Sequence, residues 1–298
     1  MPESPAATSS IYDLGYRGYD GPRAGRRSAL QTLYASSLRA AFGLGRRTSS
    51  KIVPFGLTIL AFVPAVIQLG VGAITSGLDA NIEIFEHHDY FGYVQIVLVL
   101  FAAAVAPELA GRDQRNRTLS LYFSRSLSRV DYVAAKLAAL TSAMLVLTLG
   151  PQLVLFVGNG MSGDDLGGYL RDSWDLVFPI LAGSLLVSAT IAAVGLVIAS
   201  YVPRRSFATA AIIGLFVLTL AVANILMESI DPAYAQYALL TSPVAWEGAI
   251  LWLFGEQPGS DNVLRDATFE GAVYLAAALA TIAVAAALTL RRFLRIQA

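Results

Sequence analysis

Residues 176–227 read LVFPILAGSLLVSATIAAVGLVIASYVPRRSFATAAIIGLFVLTLAVANILM. Two apolar runs, Leu176–Val202 and Ser206–Met227, are separated by Pro203, Arg204 and Arg205 alone. A helix needs about 20 mainly apolar residues to cross the hydrocarbon of a bilayer, and each run has that length. The pair reads as two membrane spans joined by a short basic turn. Four further stretches follow the same rule: Ile52–Ile74, Tyr90–Pro107, Val133–Val157 and Gly271–Leu290. Tyr90–Pro107 is short and is expected to continue as helix through Glu108–Arg112, beyond the membrane surface. Lys136 is the only formal charge within any of the six.

Composition agrees. The 298 residues are 56% apolar and 14% charged, with mean hydropathy +0.60, whereas a soluble chain carries about 25% charge. Lys and Arg total 21 and Asp and Glu total 21, a balance that argues against a general nucleic-acid binder. The absence of Cys excludes disulfides, thiolate metal sites and Cys nucleophiles. The expected fold class is all-α integral membrane. Residues 52–298 would form one six-span transmembrane domain, preceded by a polar tail over residues 1–51.

The zero net charge hides a separation along the chain. Segments 1–51, 108–132, 203–205 and 291–298, with Lys136, hold 19 of the 21 basic residues and 6 acids. The alternate loops 75–89, 158–175 and 228–270 hold 2 basic residues and 15 acids. Basic residues near span ends are retained on the cytoplasmic side. Both termini are therefore expected in the cytoplasm and the acidic loops outside the cell's inner (plasma) membrane. An even number of spans demands the same arrangement.

The N-terminal tail is Arg-rich and lacks the apolar core of a secretory signal. Within it, Leu30, Leu33, Tyr34, Leu38, Ala41 and Phe42 recur at spacings of three and four, with Arg27, Gln31 and Arg39 on other faces. That pattern predicts an amphipathic helix, either in the headgroup plane against membrane lipids or against a cytosolic partner. In the long acidic loop, Val244–Phe254 is apolar but too short to span. Trp246 and Trp252 there suit a water–lipid boundary, so a re-entrant or interfacial hairpin is expected, with an external cap as the alternative.

An ion-coupled transporter ordinarily keeps a titratable group inside its spans, and here only Lys136 is available. No charged pore ring or selectivity filter is evident. Nor can this chain hydrolyse ATP. The phosphate-cradling loop needs G-x-x-x-x-G-K-[ST], and Lys51 and Lys136 follow Ser50 and Ala135. No catalytic triad or carboxylate pair stands out, so an enzyme acting by itself is not expected.

The stretch 107–137, PELAGRDQRNRTLSLYFSRSLSRVDYVAAKL, offers a place for a separate motor to push. Thr118 can cap a short helix whose Leu119, Tyr122 and Phe123 form an apolar edge. Ser128 and Asp131 have capping-box spacing ahead of the third span. This stretch resembles the loop between the second and third spans of type-2 ABC transporter permeases. Those commonly carry an acidic residue, Gly-Thr-Leu, two bulky residues, Pro, Ser-Arg and a later Gly-Lys. Asp113, Thr118 with Leu119, Tyr122 with Phe123, Ser128 with Arg129, and Lys136 match. Arg117, Ser126 and Ala135 depart from the pattern. The segment YDLGYRGYDGPRAGRR, residues 12–27, is similar to an actinobacterial-type branch of the same permeases.

The resemblance implies an ABC exporter: two permease copies, most simply a homodimer, around a path, with separate ATP-binding subunits docked on 108–132. ATP and Mg would be held by those subunits, and no cofactor by this chain. Glu108, Asp113, Thr118, Leu119, Tyr122, Phe123, Arg125 and Arg129, with Arg112 and Arg115, become candidate contacts to the ATPase, or else a solvated loop near anionic lipid. The second and fifth spans line the path in this family, so Gln95, Phe101, Phe216 and Asn224 become candidate substrate contacts. In-span amides, Gln68 and Gln152 included, more often bond neighbouring helices. Glu83, Glu86, His87, His88 and Asp89 are residue types that ligate zinc or copper, yet adjacent histidines on a wet loop are ordinarily unliganded. Pro54, Pro64, Pro151 and Pro179 suit hinges or static kinks. A non-transporting sensor or scaffold subunit of an ABC complex would share all these features.

Overall fold

The computed structural model describes residues 25–76, 86–116, 118–123, 127–162, 166–202, 204–259 and 262–295. Among them all regular secondary structure is helical. Among the described residues six helical stretches are long and apolar enough to cross a membrane: α2 (Ser49–Ser76), α3 (Tyr90–Ala106, with its helical continuation to Arg115), α6 (Arg129–Ser162), α8 (Trp174–Tyr201), α9 (Arg205–Ser229) and α12 (Gly271–Arg295). Shorter helices punctuate them: α1 (Arg26–Ala41), α4 (Arg112–Arg115), α5 (Leu119–Phe123), α7 (Leu166–Asp172), α10 (Pro232–Leu239) and α11 (Val244–Phe254). The expected spans lie inside the observed helices at most boundaries. α6 is the clearest overshoot, because hydropathy marks hydrocarbon depth while the backbone stays helical until something caps it.

α3 and α8 form the centre. In both, 72% of the apolar stretch is buried, against 17% in α2 and α9 and 22% in α12. The core around them is built from apolar side chains of mixed size, including Leu98, Phe101, Ala102, Met144, Leu147, Ile191 and Leu196. As expected, helix continues past Ala106, but through a π-turn at Pro107–Gly111 before α4.

Proline explains two of the cross-helix ties. A proline inside a helix cannot donate to the carbonyl four residues earlier, and in hydrocarbon that carbonyl needs another donor. Pro107 frees the Ala103 carbonyl, which accepts the Thr209 hydroxyl of α9 at 2.8 Å. Pro151 frees the Leu147 carbonyl, which accepts the hydroxyl of fully buried Tyr90 at 2.8 Å. The Tyr90 hydroxyl also lies 3.1 Å from the Ala61 carbonyl, so one phenol joins α2, α3 and α6. A further buried pair, Thr148 and Ser188 with oxygens 2.9 Å apart, joins α6 to α8.

The long acidic loop folds back as α10 and α11, bent by 94° at the break between them. α11 is buried along most of its length. It seats on α12 where side chains vanish: a Cβ on Gly248 would stand 2.7 Å from the Tyr274 ring, and one on Gly271 2.1 Å from Trp252 Cβ. Trp246 departs from expectation. It is 4% exposed and packs on Phe216, ring centres 5.9 Å apart, because the fold gives the indole an apolar protein pocket in place of a lipid boundary. Trp252, 49% exposed, stays at the surface.

α1 lies where the spacing places a helix. Its apolar residues cover protein: Leu33 is buried, and Leu30 and Tyr34 pack with Leu119, Leu127, Tyr132, Val133 and Phe293. Leu38 and Phe42 pack on the main core, with the Phe42 ring 5.9 Å from that of Phe101. The Tyr34 hydroxyl donates to Ser142 at 2.9 Å. Residues 12–24 of the N-terminal segment lie outside the described residues.

Candidate functional site

The segment between α3 and α6 gathers the charges of the basic end. Its first anchor is Glu108, on the π-turn. One carboxylate oxygen accepts from Arg46, between α1 and α2, and the other from Arg205, at the start of α9, both at 2.9 Å. π-turns insert one residue into a helix and rotate the succeeding turn, and they recur at functional sites. Here the insertion places Glu108 between two guanidinium groups.

The second anchor is Asp113 of α4. Its Oδ2 lies 2.8 Å from Lys136 Nζ and accepts the Tyr132 hydroxyl at 2.8 Å. Lys136 is 6% exposed and Tyr132 fully buried, so the single charge inside the spans is matched on the spot. The third anchor is the box at the head of α6. Ser128 N–H donates to Asp131 at 3.0 Å and Asp131 N–H donates to Ser128 Oγ at 3.1 Å. Asp131 also accepts from Arg26 Nε and Nη2, each at 2.8 Å, which fastens α1 to α6. That hydrogen bond raises the Arg26 pKa from its ordinary value, with the charge of Asp131 adding to it.

Between the anchors sits α5. Thr118 precedes it and donates its hydroxyl to the Asp113 carbonyl at 3.3 Å. The expected apolar edge is present but faces inward. Leu119 is 5% exposed, while Tyr122 and Phe123 are half-buried against the Tyr132 ring, with centres 5.7 and 5.8 Å away. Burial pushes the Tyr122 pKa up, and the nearby Asp113 charge adds to this. Arg129 stacks over Phe123 at 5.5 Å and donates to the Leu294 carbonyl of α12. Arg125 lies outside the described residues. Arg112 and Arg115 are exposed, and so is Leu121, at 66%. Leu121 is absent from the sequence candidates, although periodicity could have found it: 119, 122 and 123 share one face of a helix, so 121 must take the other.

The candidate path residues are not brought together. Phe101 is sealed in the core, and Asn224 donates to the Leu220 carbonyl of its own helix at 2.8 Å. Gln95 borders a cavity of about 380 Å³ at the acidic end, and Phe216 borders one of about 110 Å³ beneath α11. Gln152 bonds His87 twice, through the ring Nδ1 at 2.6 Å and the backbone carbonyl at 2.7 Å. His88 lies between Glu86 and Asp89, 3.4 and 3.2 Å away. Glu83 lies outside the described residues, among which no group of three or more His, Asp or Glu side chains could hold a metal ion.

No curated protein matches the sequence. A family model described as ABC-2 family transporter protein matches residues 26–297, which takes in all six spans, α1 and the segment between α3 and α6. On that match the chain, a multi-pass membrane protein, belongs to the ABC-2 family of transporter permeases.

Proposed function

We propose that the chain is the membrane-spanning permease subunit of an ATP-driven exporter, worked by a separate ATP-binding subunit that docks on residues 108–132. The observation that carries this reading is the three-anchor arrangement between α3 and α6. A loop that only linked two spans would not need Glu108, Asp113 and Asp131 to bind four different basic side chains. Held that way, a force on α5 passes directly to α1, α6, α9 and α12.

In this reading the basic end faces the cytoplasm and the protein resides in the inner membrane, as the charge asymmetry favours. The inward edge of α5, from Leu119 to Phe123, keeps the helix fixed to the bundle. Its outer side, with Leu121 and the exposed Arg112 and Arg115, meets the motor together with Thr118 and Arg125. ATP and Mg bind to the partner, which supplies the hydrolysis this chain has no loop to perform. Two permease copies, most simply a homodimer with a self-complementary interface, would enclose the path. The sparsely buried α2 and α9 leave apolar faces for that contact and for lipid. Gln95 and Phe216, which border cavities, are the path residues retained.

The test is reconstitution. The permease is co-expressed with candidate P-loop ATP-binding proteins from the same genome, purified and placed in liposomes. Retention of the ATPase, and export that stops when its hydrolysis is disabled, would support the reading. Complex formation without transport would favour a sensor or scaffold, and failure of any P-loop protein to associate would overturn it.

A further inference from the structure

We infer that the cavity of about 380 Å³ at the acidic end is a binding site for an organic cation. The volume falls in the range of small-molecule sites, roughly 300–1,000 Å³. Its lining has a one-sided charge. Asp89 and Glu247 contribute carboxylates and His88 an imidazole, and among the described residues no Lys or Arg borders it. The carboxylate of Asp89 sits at the rim, accepting the Glu86 N–H at 3.1 Å beside His88.

Glu247 lies deeper and is the instructive group. It accepts from Asn262 Nδ2 at 2.7 Å, and among the described residues no basic side chain pairs with it. A carboxylate drawn out of water with one neutral donor calls for a positive partner. Burial, with the nearby Asp89 charge adding to it, pushes the Glu247 pKa up against the Asn262 bond and the helix start of α11, so a cation bound beside it would be what holds it ionised.

The remaining walls select the kind of cation. Phe91, Tyr93 and Trp246 line the cavity with aromatic surface, and Gln95 adds one amide. Aromatic faces attract ammonium groups, most strongly when water is excluded. A bare metal ion would instead need several convergent oxygen or nitrogen ligands, and no such group exists among the described residues. The wall that carries Trp246 and Glu247 is pre-formed, since α11 is locked onto α12 at Gly248 and Gly271. A rigid carboxylate beside an indole, with no internal cation, fits a quaternary or protonated amine of modest size. What the site is for rests on the permease reading, where it would receive cargo or a regulator; the binding itself does not.

Equilibrium binding of radiolabelled benzyltrimethylammonium to the full chain in lipid nanodiscs tests this without any ATPase, so the two readings can fail separately. Saturable binding is expected, resisting displacement by the uncharged isostere neopentylbenzene and by benzenesulfonate. Glu247→Gln keeps the Asn262 bond and should raise Kd about tenfold or more. Should that variant lose its fold by thermal melting, Asp89→Asn at the rim provides a second reading, with a Kd rise of a few fold. Absence of saturable binding, equal displacement by the neutral isostere, or an unchanged Kd in a folded variant would overturn the inference.

Discussion

Replacing Asp113 by Ala removes one carboxylate and strands two groups. Lys136 Nζ loses its partner at 2.8 Å, and the Tyr132 hydroxyl loses its acceptor at the same distance. A buried ammonium left unpaired costs about 3–5 kcal/mol, and a buried hydroxyl without an acceptor about 1–3 kcal/mol. Because the two losses share one site and relax together, we expect about 4–6 kcal/mol. Unfolding entropy near 2.1 cal/mol/K per residue gives roughly 0.6 kcal/mol/K for a chain of this length, so the melting midpoint should fall by about 6–10 °C. Lys136→Met removes the charge and leaves Asp113, whose side chain is 14% exposed, bonded to Tyr132. It should cost about 1–2 kcal/mol. The double variant strands no ammonium and should be more stable than Asp113→Ala by about 2 kcal/mol or more. Intrinsic-fluorescence melting of the detergent-solubilised permease measures all three. A fall below about 1 °C for Asp113→Ala, or costs that simply add in the double variant, would refute the reasoning.

Three further outcomes are expected. Tyr90→Phe leaves the Leu147 carbonyl without its cross-helix donor and should cost about 1–3 kcal/mol by melting; Pro151→Ala restores an N–H to that carbonyl and should recover part of the loss, whereas additive costs would contradict the proline account. Gly248→Leu drives a side chain into the Tyr274 ring, 2.7 Å from the new Cβ, and should lower the midpoint by more than Gly248→Ala does, with either variant melting as the parent refuting the tight seating of α11. The chain has no Cys, so single cysteines report sidedness cleanly: Leu121→Cys should be blocked by a membrane-impermeant maleimide only in inverted vesicles, and Glu256→Cys only in intact cells.

The fold was legible because hydrocarbon imposes one rule on every span, and the Leu176–Met227 double run states it twice. Charge sorting added the two ends. What could not be read was how the ends are used. The expected docking set mixed groups that share a segment but face different ways: Glu108 and Asp113 hold the loop from inside, Leu119 is buried beneath it, and Arg112 and Arg115 are exposed, while the outward Leu121 was not in the set. One-dimensional spacing assigns residues to faces but does not say which face meets protein. The same limit misplaced Trp246, whose boundary chemistry is real but whose helix folds back into the bundle. The partners of Glu108 lie 62 residues before it and 97 after it, and nothing local in the sequence links them. The capping box was readable in full, because its two members are three residues apart and act on each other's backbone.

The central claim, a permease driven through its first basic-end hairpin, is tested most directly by photocrosslinking from position 121. A benzophenone amino acid replaces Leu121 in cells expressing the full chain, and the trapped partner is identified by mass spectrometry. The account predicts a protein carrying G-x-x-x-x-G-K-[ST], captured in amounts that change when ATP is depleted. Crosslinks to lipid or to this chain alone, with no such protein at any ATP level, would contradict it.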